Sequence, residues 1–262
     1  MKLTLCIAAM AIFFIHSPLQ AGTFSATRSV YEIKIYHIKS KAQETRMDKY
    51  LQEAYIPALH RAGIASVGVF KPVETDTAAF GKLIYVMSAF KSLDQMSGLT
   101  GKLLKDADYL SAGHDYLDAA YNEQAYERME TMVLRAFADM PAMKAPELTN
   151  SKSERIYELR SYEGATEKLY AKKVSMFNEG KEIGIFSRLG MGAVFYAEVL
   201  VGSHQPNLMY MTSFKDKATR DKLWEEFKVD AYWKKISGME EYQHTVSHAD
   251  IFFLHPAEYS DF

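Results

Sequence analysis

The sequence predicts an α+β protein in which two copies of one unit, strand–helix–strand–strand–helix–strand, pack sheet against sheet. The first observation is an internal repeat: YEIKIY at residues 31–36 recurs as YELRSY at residues 157–162, 126 residues later. The second is a later pair, LIYVMS at 83–88 and LMYMTS at 208–213, offset by 125 residues. Matches in the same order at nearly the same offset indicate a tandem duplication.

Composition and charge narrow the class of protein. Of the 262 residues 48% are hydrophobic and 24% are charged, which is typical of a globular chain with packed cores. The 31 basic and 33 acidic side chains give a net charge of −2. Because no basic excess is available to neutralise a phosphate backbone, nucleic acid is not an expected partner.

Residues 1–21 have the features of a secretory signal peptide. Lys2 supplies a positive charge, and the apolar run 3–15 is too short to cross a bilayer. Ala21 offers a small residue before a cleavage site. We therefore expect an exported protein, periplasmic or secreted, whose mature chain has lost the single cysteine, Cys6, and has no membrane span. The alternative is that the segment stays attached as a membrane anchor.

The first unit is predicted over residues 22–140. Alternation of apolar and polar residues at period two predicts its strands. An apolar stripe from Met47 to Ala62 predicts a helix, which Gly63 ends. The elements expected in order are strand 30–37, helix 43–62, strands 64–71 and 81–88, a helical stretch from about 92, and strand 129–137.

A linker is predicted at 141–153, where Pro, Asn, Ser and charged residues mix. The second unit then covers residues 154–262 and repeats the order of the first. Its expected elements are strand 155–162, helix 166–179 ended by Gly180, strands 182–189 and 193–201 joined by a turn at 190–192, strand 207–214, helix 216–228 and strand 244–254.

The order βαββαβ is the ferredoxin-like unit, whose helices cover one face of an antiparallel sheet. The other face must be buried, and a second copy in the same chain can cover it. We therefore expect the two sheets to close on each other as a barrel with pseudo-twofold symmetry.

Alternation along the first strand of the second unit separates an apolar face, Tyr157 and Leu159, from a polar face, Glu158, Arg160 and Tyr162. We expect the apolar face to lie under the helices. The polar face would then point into the space between the sheets and form a pocket there. The alternative is that these charges are ion pairs that only hold one sheet on the other.

Other features extend this candidate pocket. Trp224 and Trp233 could stack on a planar ligand, although aromatic clusters also serve as core. Glu179 ends a helix, where a negative charge needs a partner such as Arg188 or Arg160. The full set of candidate ligand-binding residues is Glu158, Arg160, Tyr162, Asn178, Glu179, Tyr196, Glu198, Tyr210, Trp224 and Trp233.

No metal or cofactor is predicted. His244, His248 and Asp250 share a face of the last strand and could approach Glu198, but one strand cannot supply a tetrahedral site alone. The sequence has no nucleophile elbow, zinc-protease, Walker or dinucleotide-binding motif. No catalytic residue can therefore be named from a motif.

The second unit resembles the NIPSNAP family. The segments that carry the resemblance are 157–162, 176–180, 194–200 and 206–211, with Phe214, Arg220, Trp224, Phe227, Asp230, Trp233, Pro256 and 259–260. The resemblance implies the dimeric α/β barrel fold, whose superfamily also holds small monooxygenases and haem-degrading enzymes. The family has no agreed catalytic residues, so it transfers none to this chain.

Two functions are compatible with these observations. The first is an exported NIPSNAP-domain protein that binds a small or hydrophobic ligand, or a protein partner, through the barrel between its two units. The alternative is a cofactor-light enzyme of the dimeric α/β barrel type, monooxygenase-like or isomerase-like, with a polar Glu/Arg/Tyr pocket. The sequence leaves open whether the pseudo-dimer also forms a homodimer.

Overall fold

The computed structural model describes residues 27–262. The predicted signal peptide lies outside the described residues, so export stays a prediction. Within the described part of the chain, no helix is both long and apolar enough to span a membrane.

The first half follows the predicted order of elements. The long predicted helix is continuous but contains a π-helical stretch, Tyr50–Tyr55, between two α-helices. Gly63 ends it at φ +89°, a conformation that favours glycine. The elements are β1 Val30–His37, α1 Lys41–Lys49, α2 Ile56–Arg61, β2 Val67–Pro72, β3 Leu83–Phe90, α3 Leu93–Ser97, α4 Leu99–Leu103, α5 Ala107–Ala112, α6 His114–Leu117 and β4 Arg128–Ala136.

The second half repeats that order after a segment without helix or strand that includes the predicted linker. Thr166 and Asp216 begin its two longest helices by accepting backbone N–H groups in the first turn. The elements are β5 Ile156–Glu163, α7 Glu167–Asn178, α8 Glu182–Arg188, β6 Gly192–Val201, β7 Asn207–Phe214, α9 Lys217–Val229, α10 Ala231–Ser237 and β8 His248–Pro256.

One predicted strand is wrong. Residues 182–189 form helix α8, and 190–192 connects that helix to β6 rather than two strands. The alternation of Ile183 and Ile185 suggested period two. The side chains that are buried, however, are Glu182, Ile185 and Phe186, which have the three-and-four spacing of a helix.

The eight strands close into a barrel in the order β1-β3-β2-β8-β5-β7-β6-β4. Each half contributes four antiparallel strands in the same relative order, and the halves join where β2 pairs with β8 and β4 pairs with β6. This confirms the α+β fold of two ferredoxin-like units closed sheet to sheet.

The strand register corrects one of the two sequence repeats. Glu32 on β1 lies opposite Ser88, and its counterpart Glu158 on β5 lies opposite Thr212. The third strands are therefore related by an offset of 124 residues, not 125. Tyr85 and Tyr210, which the sequence match had aligned, accordingly face opposite sides of the sheet.

The orientation of the strand faces is also the reverse of the expected one. The apolar face lines the barrel interior, where Tyr157 and Leu159 pack with Tyr31 and Ile33 of the first half. The polar face, including Glu158 and Arg160, lies under the helices. Two apolar sheet faces can bury each other completely, whereas the helices offer polar partners to charged side chains. The barrel interior is therefore a packed core.

A packed interior predicts a large cost for truncation there. Leu159 is fully buried inside the barrel, so Leu159→Ala should lower the free energy of unfolding by about 2 to 5 kcal/mol. The matched control is Leu200→Ala on β6, where the side chain is 39% exposed and the change should stay within about 0.5 kcal/mol. Chemical denaturation measures both. Equal effects would contradict a filled barrel.

Candidate functional site

A cleft of about 570 Å³ opens between the sheet and the helices of the second half. Its floor comes from β5, β7 and β8, and its walls come from α7, α8, α9 and α10 and from Val246 in the segment before β8. The lining residues are Arg160, Tyr162, Lys173, Glu182, Tyr210, Arg220, Trp224, Phe227, Lys228, Trp233, Val246, Ala249 and Ile251.

The carboxylate of Glu158 lies directly beneath this cleft and is fully buried. Arg220 donates from Nε to Oε2 at 2.7 Å and from Nη2 to Oε1 at 2.8 Å. Trp224 donates from Nε1 to Oε2 at 2.8 Å, and Arg160 donates from Nε to Oε1 at 2.6 Å. Burial would raise the pKa of Glu158, but the two guanidinium groups outweigh it and lower that pKa.

Arg160 connects this buried carboxylate to the cleft. Its guanidinium lies 3.7 Å from the ring centre of Trp224, and its Nη1 donates to the hydroxyl of Tyr162 at 2.7 Å. That hydroxyl lies 2.9 Å from the hydroxyl of Tyr210. The guanidinium is thus held flat against an aromatic face.

A second buried ion pair lines the cleft. Lys173 on α7 lies 2.7 Å from Glu182 on α8, and both side chains are buried. Burial raises the pKa of Glu182 even though the ammonium group of Lys173 opposes that rise. A carboxyl group in such a site is a candidate for proton transfer.

The lining is cationic and aromatic. Four cationic side chains face the cleft, and each is paired with a carboxylate: Arg160 and Arg220 with Glu158, Lys173 with Glu182, and Lys228 with Glu225. The aromatic lining residues are Tyr162, Tyr210, Trp224, Phe227 and Trp233. A concave surface with aromatic walls and a few fixed polar groups suits a small ligand, and the N–H donors of the guanidinium groups favour an anionic one.

Comparison with known proteins identifies this half of the chain. Residues 157–261 match the NIPSNAP family model. This segment is a NIPSNAP domain. The match spans β5 to the end of β8 and includes every residue that lines the cleft. Comparison with curated proteins found no significant match.

Solved structures share the fold of the two described halves. A protein from Lactobacillus acidophilus, provisionally named a monooxygenase, superposes with a TM-score of 0.58 at 10% identity, over 87% of this chain and 94% of that chain. A second provisionally named monooxygenase, from Fusobacterium nucleatum, gives 0.56 at 8% identity, over 88% and 93%. A NIPSNAP family protein from Agrobacterium tumefaciens gives 0.36 at 17% identity, over 41% and 98%. At these identities, the first two likenesses show the fold alone.

The NIPSNAP domain brings half of the predicted site residues together. Arg160, Tyr162, Tyr210, Trp224 and Trp233 all line the cleft. They cluster on the helix side of the sheet, whereas the sequence had placed them in the space between the two sheets. That they bind a ligand stays a prediction. Glu158 belongs to the same network but is covered by its donors.

Two residues at the end of α7 have other roles. Asn178 is buried and connects α7 to the chain after β4, because its Oδ1 accepts from the backbone N–H of Asp139. Glu179 is exposed and lies outside the cleft. Neither expected partner is available to it, since Arg188 pairs with Asp230 and Arg160 with Glu158.

Two residues predicted from β6 also lie elsewhere. Tyr196 is buried behind Tyr210, with the ring centres 5.4 Å apart, and does not reach the cleft. Glu198 lies at the junction of the two halves, 3.3 Å from both Arg28 and Arg135. It therefore lies outside the cleft, in an ion pair that links the two halves.

Eight lining residues were not among the predicted site residues, and four of these are charged: Lys173, Glu182, Arg220 and Lys228. On α9 a signal existed, because Arg220, Trp224 and Lys228 are spaced by four residues and share one helix face. For Lys173 and Glu182 no local signal existed, since the pair joins two helices and residues 182–189 had been predicted as a strand.

The first half has the same frame, but tyrosine side chains occupy the corresponding place. Lys34 takes the position of Arg160 and lies 3.8 Å from Glu32. Tyrosines fill the space under the helices: Tyr50 stacks on Tyr116 at 3.7 Å and lies 2.9 Å from the hydroxyl of Tyr109. The space between the sheet and the helices is therefore filled by side chains in the first copy and open as a cleft in the second.

Removing the charge of Glu158 should destabilise the domain. Glu158→Gln leaves the buried guanidinium of Arg160 without a counter-charge and Arg220 with only the half-exposed carboxylate of Asp221, so the free energy of unfolding should fall by about 3 kcal/mol or more. The control Glu226→Gln, an exposed carboxylate on the same helix as Arg220, should change it by less than about 0.5 kcal/mol.

The same variant has a predicted pH signature. A carboxyl whose pKa is lowered on folding stabilises the fold above its unfolded pKa and loses that contribution as the pH falls through the folded value. The gap in unfolding free energy between wild type and Glu158→Gln should therefore narrow as the pH falls below the usual glutamate value of 4.5. A gap that widens in acid would contradict the buried ion pairs.

Proposed function

We propose that the NIPSNAP domain binds a small, planar, largely apolar anion in the cleft between its sheet and its helices. The observation that carries this proposal is Arg160, whose guanidinium is desolvated, stacked on Trp224 and positioned at the cleft floor. A cavity of about 570 Å³ is within the range of small-molecule sites.

The charges support an anion. Arg160 has five N–H donors, and its contacts with Glu158 and Tyr162 leave further donors without a partner among residues 27–262. Arg220 donates from Nε and Nη2 to Glu158 and from Nη1 to the half-exposed carboxylate of Asp221. An anionic group of the ligand would meet these donors, and its apolar body would lie against the aromatic walls.

The cleft lies elsewhere than the ligand site expected from the sequence, which was the barrel between the two units. The interior of the barrel is filled by side chains, and the cavity at its mouth, of about 160 Å³, is much smaller than the cleft of about 570 Å³. The proposed site lies within the second unit alone. The first unit then serves to complete the barrel. If residues 1–21 direct export, the domain meets its ligand outside the cytoplasm.

Binding can be read from the protein's own fluorescence. The chain has two tryptophans, and both line the cleft. The probe is 1-anilinonaphthalene-8-sulfonate, which combines a planar apolar body with a sulfonate. We expect saturable energy transfer from tryptophan to one probe per chain.

Matched variants localise that binding. Ala249 is exposed at the cleft lining and lies opposite Tyr162, so Ala249→Phe should block the cleft without disturbing a core. We expect the affinity to fall by about tenfold or more, equivalent to roughly 1.4 kcal/mol. Met129 holds the corresponding place in the first half, opposite Tyr36, so Met129→Phe should bind like wild type. Unchanged affinity in Ala249→Phe would contradict the proposal.

A second candidate, an enzyme acting on the same ligand, is favoured by Glu182. Its carboxyl faces the cleft, is buried and has a raised pKa, which suits a general acid or base. The fold relatives provisionally named monooxygenases are compatible with an enzyme of this architecture.

Proton transfer by Glu182 has a direct test. With phenylpyruvate, an aromatic keto acid, as probe, an enzyme of this kind should speed deuterium exchange at its C3 position in D2O. Glu182→Gln should abolish that acceleration but still bind the naphthalene sulfonate. Nuclear magnetic resonance measures the exchange. If the wild type binds the naphthalene sulfonate but does not speed the deuterium exchange, this proton transfer is excluded. Ligand binding then stays as the proposed function.

A further inference from the structure

One mouth of the barrel carries a cluster of polar side chains that the proposed function does not use. The barrel-facing positions of β5, β7 and β8 end here, and Glu163 lies directly opposite both Asn207 and His248. Asp250 lies opposite Ser161 on the same face. These side chains replace the apolar residues that fill the rest of the barrel.

Three of the side chains at this mouth converge. Donor atoms of Glu163, His204 and Asp250 all lie within 4.8 Å of one another. The Nδ1 atom of His204 is 3.0 Å from a carboxylate oxygen of Glu163. A tetrahedral ion with bonds of about 2.1 Å separates its ligand atoms by about 3.4 Å, which small side-chain rotations would reach.

The two carboxylates of this cluster lack a permanent counter-charge. Across the described chain, neither Glu163 nor Asp250 has an arginine or lysine within 4.0 Å; their ionic contacts are to His204 and His248. In the first half, Glu130 on β4 takes the place that Asp250 has on β8, and the guanidinium of Arg128 lies 2.6 Å from its carboxylate. The uncompensated charge is therefore specific to the second half.

A buried amide provides an independent sign of a ligand. Asn207 is 2% exposed and lines a cavity of about 160 Å³ together with His204 and Asp250. Its Nδ2 donates to the hydroxyl of Ser161 at 2.7 Å, but its Oδ1 has no hydrogen-bond partner among the described residues. A buried carbonyl oxygen without a donor is costly unless something else coordinates it.

We propose that Glu163, His204 and Asp250 bind a divalent transition-metal ion at this mouth, beside the cavity that Asn207 also lines. One imidazole with carboxylate oxygens suits Zn²⁺ or Mn²⁺. His248, whose Nε2 lies 3.1 Å from Asp250, would orient that carboxylate from outside the coordination sphere.

This site is separate from the cleft, although they share a strand. Ala249 and Ile251 face the cleft, whereas Asp250 between them faces the barrel. Failure of the metal proposal would therefore leave the ligand proposal untouched, and the reverse also holds.

The test titrates metal-stripped protein with Mn²⁺, followed by electron paramagnetic resonance, and with Zn²⁺, followed by calorimetry. We expect one ion per chain and a higher Tm when it is bound. Glu163→Gln and His204→Ala should each abolish this binding while the metal-free Tm stays close to that of wild type, because both side chains lie at the barrel rim. His248→Ala should weaken it by about tenfold.

Glu130→Gln is the matched control, because this carboxylate lines the same cavity but is paired with Arg128. It should bind Mn²⁺ like wild type. Absence of stoichiometric binding to the wild type would overturn the proposal. So would equal loss in Glu130→Gln and Glu163→Gln, which would indicate general attraction of cations to the mouth.

Discussion

A single buried carboxylate organises the second half of this protein. Glu158 lies on the helix side of β5 without solvent access, and such a charge is tolerable only with several donors. Arg160 comes from its own strand, while Arg220 and Trp224 come from α9. The need to satisfy this carboxylate therefore fixes α9 over the sheet. It also places the guanidinium of Arg160 flat on Trp224, at the floor of the cleft.

Duplication explains how such a site could arise without loss of the fold. Each unit needs a partner for its bare sheet face, and closing the barrel meets that need with apolar side chains from both halves. The helix side of each unit is then free to differ. In the first unit tyrosines such as Tyr50 and Tyr109 occupy it, whereas in the NIPSNAP domain the buried charges hold a cleft open.

The sequence predicted the fold better than the site, for identifiable physical reasons. Period-two alternation located the eight strands that form the barrel, but it shows which residues share a face and not what covers that face. Glu158 and Arg160 were therefore placed correctly on the same face of the strand, but that face was expected to point at the other sheet and lies under the helices instead. Helix α8 was mistaken for a strand because Ile183 and Ile185 alternate. The Lys173–Glu182 pair could not be predicted, since it depends on how two helices meet.

We propose that the ligand site lies between the sheet and the helices of the NIPSNAP domain, not inside the barrel. A crystal structure of the protein with 1-anilinonaphthalene-8-sulfonate tests it most directly. We expect the naphthalene ring to lie against Trp224 or Trp233 and the sulfonate to lie within hydrogen-bond distance of Arg160 or Arg220. A probe bound inside the barrel, or an empty cleft with the probe bound elsewhere on the surface, would contradict it.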